Sequence, residues 1–221
     1  MKKLIALLTA LTLLVGCCAL AFAESSEVCP TYSVNMETYG ETDSTVYASI
    51  DPQRTGDDLC LVYGIYGTDL YAKEDILALK EGDTLLVNDE SMTVKTVEAT
   101  ENGVEINGGF FNEDESGATL LYLQEDPEHL CSVMYDDLMS RTLVGEAAMA
   151  MADEVTVKTF RMGEDGDFHD EYDETAMPAA QVKDYLTTLQ ENGMSFTPDT
   201  CTVTLKDGKV TLITVDWAPN V

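Results

Sequence analysis

Seven of the eleven residues in Glu164-Asp165-Gly166-Asp167-Phe168-His169-Asp170-Glu171-Tyr172-Asp173-Glu174 are acidic. Carboxylates packed this densely repel one another unless water, cations or a basic partner intervene. Hard oxygen donors suit calcium, which takes about six to eight of them, and Asp165, Asp167, Asp170 and Asp173 are the candidate ligands. The twelve-residue calcium-loop pattern is not met. Asp170 stands where its glycine belongs, and Ala176 where its bidentate glutamate belongs. A solvated acidic loop is therefore the favoured reading, with a calcium site as the alternative.

Other reactive residue types are sparse. His129 and His169 are the two histidines, and either is better read as a surface side chain than as half of a zinc site with Glu128, Asp170 or Glu171. Cys131 follows His129 by two positions, a spacing that shares a strand face without forming a nucleophile–base pair. The serine-elbow, zinc-helix and phosphate-loop motifs are absent. With 41 acidic residues, some carboxyl pair lies at glycosidase distance by chance, so abundance alone does not argue for hydrolysis.

The chain has 12 basic residues against those 41, for a net charge of −29. So negative a surface repels nucleic acid and anionic lipid headgroups, and both are excluded as partners. It favours solubility, and leaves cations and basic proteins as attractable species.

The N-terminus explains where such a protein works. Lys2 and Lys3 precede an apolar run from Leu4 to Gly16, and Ala21-Phe22-Ala23 supplies the small residues read by a signal peptidase. The expectation is export, with residues 1–23 removed and 24–221 forming one β-rich extracytoplasmic domain. Loss of the two lysines takes the net charge to −31. Leu14-Val15-Gly16-Cys17 resembles a bacterial lipoprotein signal, which implies lipidation of Cys17 as the alternative to release after Ala23. Cys29, Cys60, Cys131 and Cys201 remain beyond the leader. An even number in an exported chain predicts two disulfides, with three connectivities open.

The elements that would carry these residues read as short strands at Thr45–Ile50, Leu59–Tyr66, Thr84–Val87, Met92–Val97, Val97–Glu101, Val104–Asn107, Ala118–Gln124, Leu130–Tyr135, Leu143–Met149 and Val155–Arg161. The Ala-rich Glu146–Met151 is ambiguous between strand and helix. Asn102-Gly103 predicts a two-residue hairpin turn with positive φ at both positions. At the C-terminus Cys201, Val203 and Leu205 alternate with polar residues, and Asp207-Gly208 makes the turn. The apolar phase then slips near Leu212-Ile213, which predicts a β-bulge there with Cys201 opposite Val215. Val182, Tyr185, Leu186 and Leu189 form a helical stripe over Pro178–Asn192, ended by Gly193. A shorter helix is expected near Lys73–Lys80.

These elements predict a mainly β, α+β fold: an antiparallel sheet, barrel-like or sandwich, with two short helices packed against it. Two related halves, 31–125 and 126–221, are the alternative to a single domain. The aromatics Tyr63, Tyr66, Tyr71, Phe110, Phe111, Tyr122 and Trp217 are better explained by packing than by a carbohydrate-binding face. In Gly108-Gly109-Phe110-Phe111 one of the adjacent rings must point away from the core, making Phe110 or Phe111 the expected exposed contact. The leading functional expectation is a non-enzymatic module that binds or scaffolds a cell-envelope component or another protein. A carboxylate-dependent hydrolase of cell-wall or glycan material and a calcium-dependent adhesion module are the alternatives.

Overall fold

The computed structural model describes residues 25–56, 59–88, 90–109, 117–133, 140–162 and 168–216, with side chains for all of these except 161, 162 and 168–171. Its strands in chain order are β1 (Glu27–Val28), β2 (Thr31–Tyr32), β3 (Ser44–Ile50), β4 (Cys60–Ala72), β5 (Thr84–Val87), β6 (Glu90–Thr93), β7 (Val97–Ala99), β8 (Gly103–Ile106), β9 (Ala118–Tyr122), β10 (His129–Ser132), β11 (Arg141–Met162), β12 (Phe168–Pro178), β13 (Cys201–Lys206) and β14 (Lys209–Val215). The helices are α1 (Lys73–Ala78), after β4, and α2 (Ala179–Glu191), after β12. The fold is mainly β, of α+β class, with both helices against a large mixed sheet.

Five strands close into a ring. β3 pairs antiparallel with β4 and with β13, and β13 pairs with β14. β14 runs parallel to the second half of β11, whose first half returns antiparallel along β4. That parallel seam, and a second one between β1 and β5, make the pairing mixed where an antiparallel sheet was expected. The cause is the crossover: α2 carries the chain back so that β13 and β14 enter from the far side of β11.

Alternation fills the barrel. Val46, Ala48 and Ile50 of β3, Leu61, Tyr63 and Ile65 of β4, Val155 and Val157 of β11, Cys201, Val203 and Leu205 of β13, and Val210, Ile213 and Val215 of β14 form one buried core. The last hairpin turns at Asp207 and Gly208, both with positive φ, and Cys201 does pair with Val215. The bulge falls at Thr211, one residue before the expected place, because Leu205 pairs Val210 while Thr204 already pairs Leu212. α2 lays Ala179, Val182 and Leu186 against the core. It starts just after Pro178 rather than on it and stops at Gly193, whose φ is 91°. From the N-terminal side Val34, Met36 and Tyr39 also pack here, and the Tyr39 hydroxyl meets that of Tyr63 at 2.7 Å.

Between β4 and β11 the chain builds a second core from Tyr71, Ile76, Leu79, Leu85, Val87, Met92, Val94, Val104, Ile106, Ala118, Leu120 and Leu130. β4 serves both cores, and the buried Asp69 marks the crossing point. The barrel core draws on residues either side of position 125, so it cuts across the alternative halves 31–125 and 126–221.

Several local expectations are corrected. Leu143–Met149 and Val155–Arg161 belong to one 22-residue strand, and the Ala-rich stretch inside it is β. The β7–β8 connection is Thr100–Asn102, closed by Thr100 N–H on the carbonyl of Gly103 at the start of β8 at 2.8 Å, and neither Asn102 nor Gly103 has positive φ. Residues 168–174 lie on β12 rather than in a loop, with Phe160 opposite Tyr172 and Lys158 opposite Glu174.

Candidate functional site

Of the four candidate calcium ligands, Asp165 and Asp167 lie outside the described residues. Asp170 is placed on β12 by its backbone, and Asp173 is exposed there opposite Thr159. No group of three or more His, Cys, Asp or Glu positioned to hold a metal occurs among the described residues. Cys17, Ala23, Phe110, Phe111 and Trp217 also lie outside the described residues. His129 is tied into a local turn, its Nδ1 2.8 Å from Asp126 Oδ2.

The predicted disulfides are absent among Cys29, Cys60, Cys131 and Cys201. Strand geometry explains why Cys60 cannot bridge to Cys131. Cys131 pairs with Leu70, ten residues along β4 from Cys60, or about 30 Å, against the ~7 Å limit for bridged Cα atoms. Cys29 has the same difficulty with Cys60, since Thr31 also pairs with Leu70. Cys201 is instead a core residue of the barrel. Burial and the Asp216 carboxylate push its thiol up from 9.0 to about 12. The folded chain thus keeps a proton that the unfolded chain gives up. Stability from this group is complete below pH 9 and is lost as the pH rises toward 12. Urea midpoints are therefore expected to fall more steeply over that window in the parent than in a Cys201→Ala variant.

A hydrolase needs a carboxyl kept protonated in a cleft. A cavity of about 340 Å³ beside α1 is lined by Asp75, Glu81 and Asp83, together with Ser25, Ser26 and Val28. Asp83 does the opposite of what an acid requires. Its oxygens accept from the backbone N–H groups of Lys80 and Ser26 at 2.8 and 2.9 Å, which holds its carboxyl below the usual carboxylate range. It fastens the N-terminal segment to the loop before β5. Asp69 is 1% exposed, closed off from substrate.

The outward face of β3, β4 and β11 is different in kind. With the odd residues of β4 turned inward, its even residues share the outer surface with alternate residues of its neighbours. Tyr47 pairs with Tyr66 and Tyr66 with Leu143, one row across three strands. Tyr47 is 38% and Leu143 53% exposed, among the most exposed large apolar side chains described. The next row is Ser49, Gly64 and Glu146. A Cβ on Gly64 would fall 2.7 Å from Ser49 Oγ and 3.1 Å from Leu143 Cδ1, so only glycine leaves this floor level. Two of the chain's three arginines sit here. Arg54 donates to Glu146 through its two terminal guanidinium nitrogens, at 2.5 and 3.1 Å. Arg141 lies 3.6 Å over the Tyr47 ring and reaches Asp199 at 3.1 Å and the Pro198 carbonyl at 2.8 Å. Sequence reasoning missed this platform because Tyr47 and Leu143 acquire meaning only when β11 is laid beside β4. The one available signal was the polar–aromatic alternation of Thr45, Tyr47 and Ser49.

Numbered along the chain, the barrel strands run in spatial order 1-2-3-5-4-1, with α2 between the third and fourth. No family model, no curated protein and no solved structure matches the chain.

Proposed function

We propose that the protein is an exported, non-enzymatic binding module of the cell envelope that holds its ligand on the β3–β4–β11 face. The observation that carries the reading is the row Tyr47–Tyr66–Leu143, exposed at its two ends and half-buried at Tyr66, set between internally paired charges on a molecule of net charge −29. Contiguous aromatic and aliphatic side chains rimmed by polar groups are what a recognition surface requires. Nucleic acid is disfavoured by the charge. The leader of residues 1–23, with Cys17 lipidation as the tethered variant, supports an extracytoplasmic workplace, and fold alone does not assign the activity.

The test is co-sedimentation of the processed protein with purified cell walls. The parent is expected to pellet with walls, and the double variant Tyr66→Ser/Leu143→Ser is expected to lose about tenfold or more in affinity, the scale of removing two aromatic or aliphatic anchors. Equal sedimentation of parent and variant, or none by either, overturns the reading.

A further inference from the structure

We infer that the outer edge of β12 is a separate interaction surface, which takes an extended, lysine- or arginine-bearing segment of a partner protein as an added strand. β12 lies along the second half of β11, away from the row Tyr47–Tyr66–Leu143 on its first half, so this surface stands whether or not that row holds a ligand.

Among the described residues β12 pairs with β11 alone and ends the large sheet on that side. From Tyr172 to Met177 the pairing runs without a register shift, a stretch of about 20 Å, the length of an ordinary strand. Alternate residues of such an edge turn their N–H and C=O groups away from the sheet, where another strand can meet them. Sheets commonly guard an open edge with a proline, a bulge, a lysine or a covering helix. Here Pro178 stands at the very end of the strand, the irregularity lies between Phe160 and Met162, and the eleven residues of β12 include no lysine or arginine. α2 does not seal the edge. Between the two runs a groove of about 370 Å³, with Thr175, Ala176 and Met177 on one wall and Asp184, Tyr185 and Thr188 on the other.

Charge and shape together select the occupant. Four of the eleven residues of β12 are acidic, and Asp173, Glu174 and Asp184 are exposed. Lys158 reaches Glu174 at 3.7 Å from the β11 side, and Lys183 lies about 200° round α2 from Gln181 at the groove. A second copy added edge to edge would set these carboxylates against their equivalents, and like charges across a strand pair are destabilising. A strand bearing lysine or arginine meets the opposite sign instead, on a chain of net charge −29. Its side chains divide between the two faces of the sheet. One set enters the groove toward Asp184 and the half-buried Tyr185, and the other meets Glu174 and the exposed Tyr172. Backbone pairing then supplies the affinity, and the groove and its carboxylates supply the choice of partner.

The probe is a capped peptide of about nine residues, a strand's length, alternating lysine with threonine. Its binding is expected to slow amide hydrogen exchange within residues 172–177, and its affinity to fall between about 50 and about 500 mM salt. Two analogues separate charge from strand addition. One replaces every lysine by glutamate; the other keeps the lysines but methylates two consecutive backbone amides, which removes donors from both edges of the peptide. Each analogue is expected to bind at least about tenfold more weakly, as is the lysine peptide to the double variant Asp173→Lys/Asp184→Lys. Equal affinity for the methylated peptide would reduce the effect to charge alone and overturn the inference. So would undiminished binding by the double variant, slowed exchange confined to other segments, or no binding of the lysine peptide. Slowed exchange at 172–177 that grows with the protein's own concentration, with no peptide present, would give the edge to a second copy and overturn it as well.

Discussion

Gly103→Ala is expected to destabilise the protein by about 3 kcal/mol or more, at the upper end of the cost of forcing atoms into a packed interior. A Cβ at Gly103 would lie 1.9 Å from the Leu120 carbonyl oxygen, 2.9 Å from the Leu120 carbonyl carbon and 2.9 Å from Leu121 Cα. All three are backbone atoms of the partner strand β9, with which Gly103 is in register opposite Leu121. No rotamer change relieves such a clash, and β8 and β9 must part. The residue's φ is not positive, so the penalty comes from contact alone. Gly108→Ala is the control: its φ is 87° but nothing lies within 4 Å of the added atom, and its cost should be about 1 kcal/mol, that of the backbone conformation. Urea denaturation followed by far-UV circular dichroism measures both. Near-equal losses would show that β8 and β9 do not approach as described.

Leu186→Ala should cost about 2–5 kcal/mol, the range for truncating a fully buried leucine. Leu186 is inaccessible to solvent and sits one turn after Val182 on the face of α2 that meets the barrel core. Its truncation leaves a void between the helix and a barrel core whose strands hold one another by pairing, so the site has little freedom to collapse. Leu77→Ala on α1 provides the contrast, because Leu77 is 47% exposed and should change stability by no more than about 0.5 kcal/mol. A Leu186→Ala loss no larger than that of Leu77→Ala would mean that α2 does not close on the core.

The readable parts of the chain were those where local signals agree with the fold. Asp207-Gly208 demands a tight turn, and Cys201, Val203 and Leu205 alternate, so the last hairpin could be written down almost residue by residue. Pro178, the 182–186 spacing and Gly193 did the same for α2. Glu146–Met151 shows where that agreement stops. Alanine, glutamate and methionine favour helix, yet these residues are strand because β4 offers them partners from Gly64 to Cys60, a gain no window of local sequence contains. The platform was hidden for the same reason. Its three central side chains come from positions 47, 66 and 143, and the pairing that unites them spans an intervening core. Asn102-Gly103 misled differently: the glycine is required by the closeness of β9, not by a left-handed turn.

Along the chain the second core leaves the barrel and rejoins it at one place, while β1, which precedes the barrel, is tied to that core by pairing with β5. β4 passes Thr68 on its way out, and the chain returns at Arg141 directly opposite Thr68. Exit and re-entry are neighbours across one pair of strands, so the stretch between them is an insertion in a β4–β11 hairpin that the N-terminal segment also grips through β1 and Ser26. Because Thr68 and Arg141 already face each other, changes of length within the lobe leave the register of the outer face in place so long as the grip of β1 on β5 is kept.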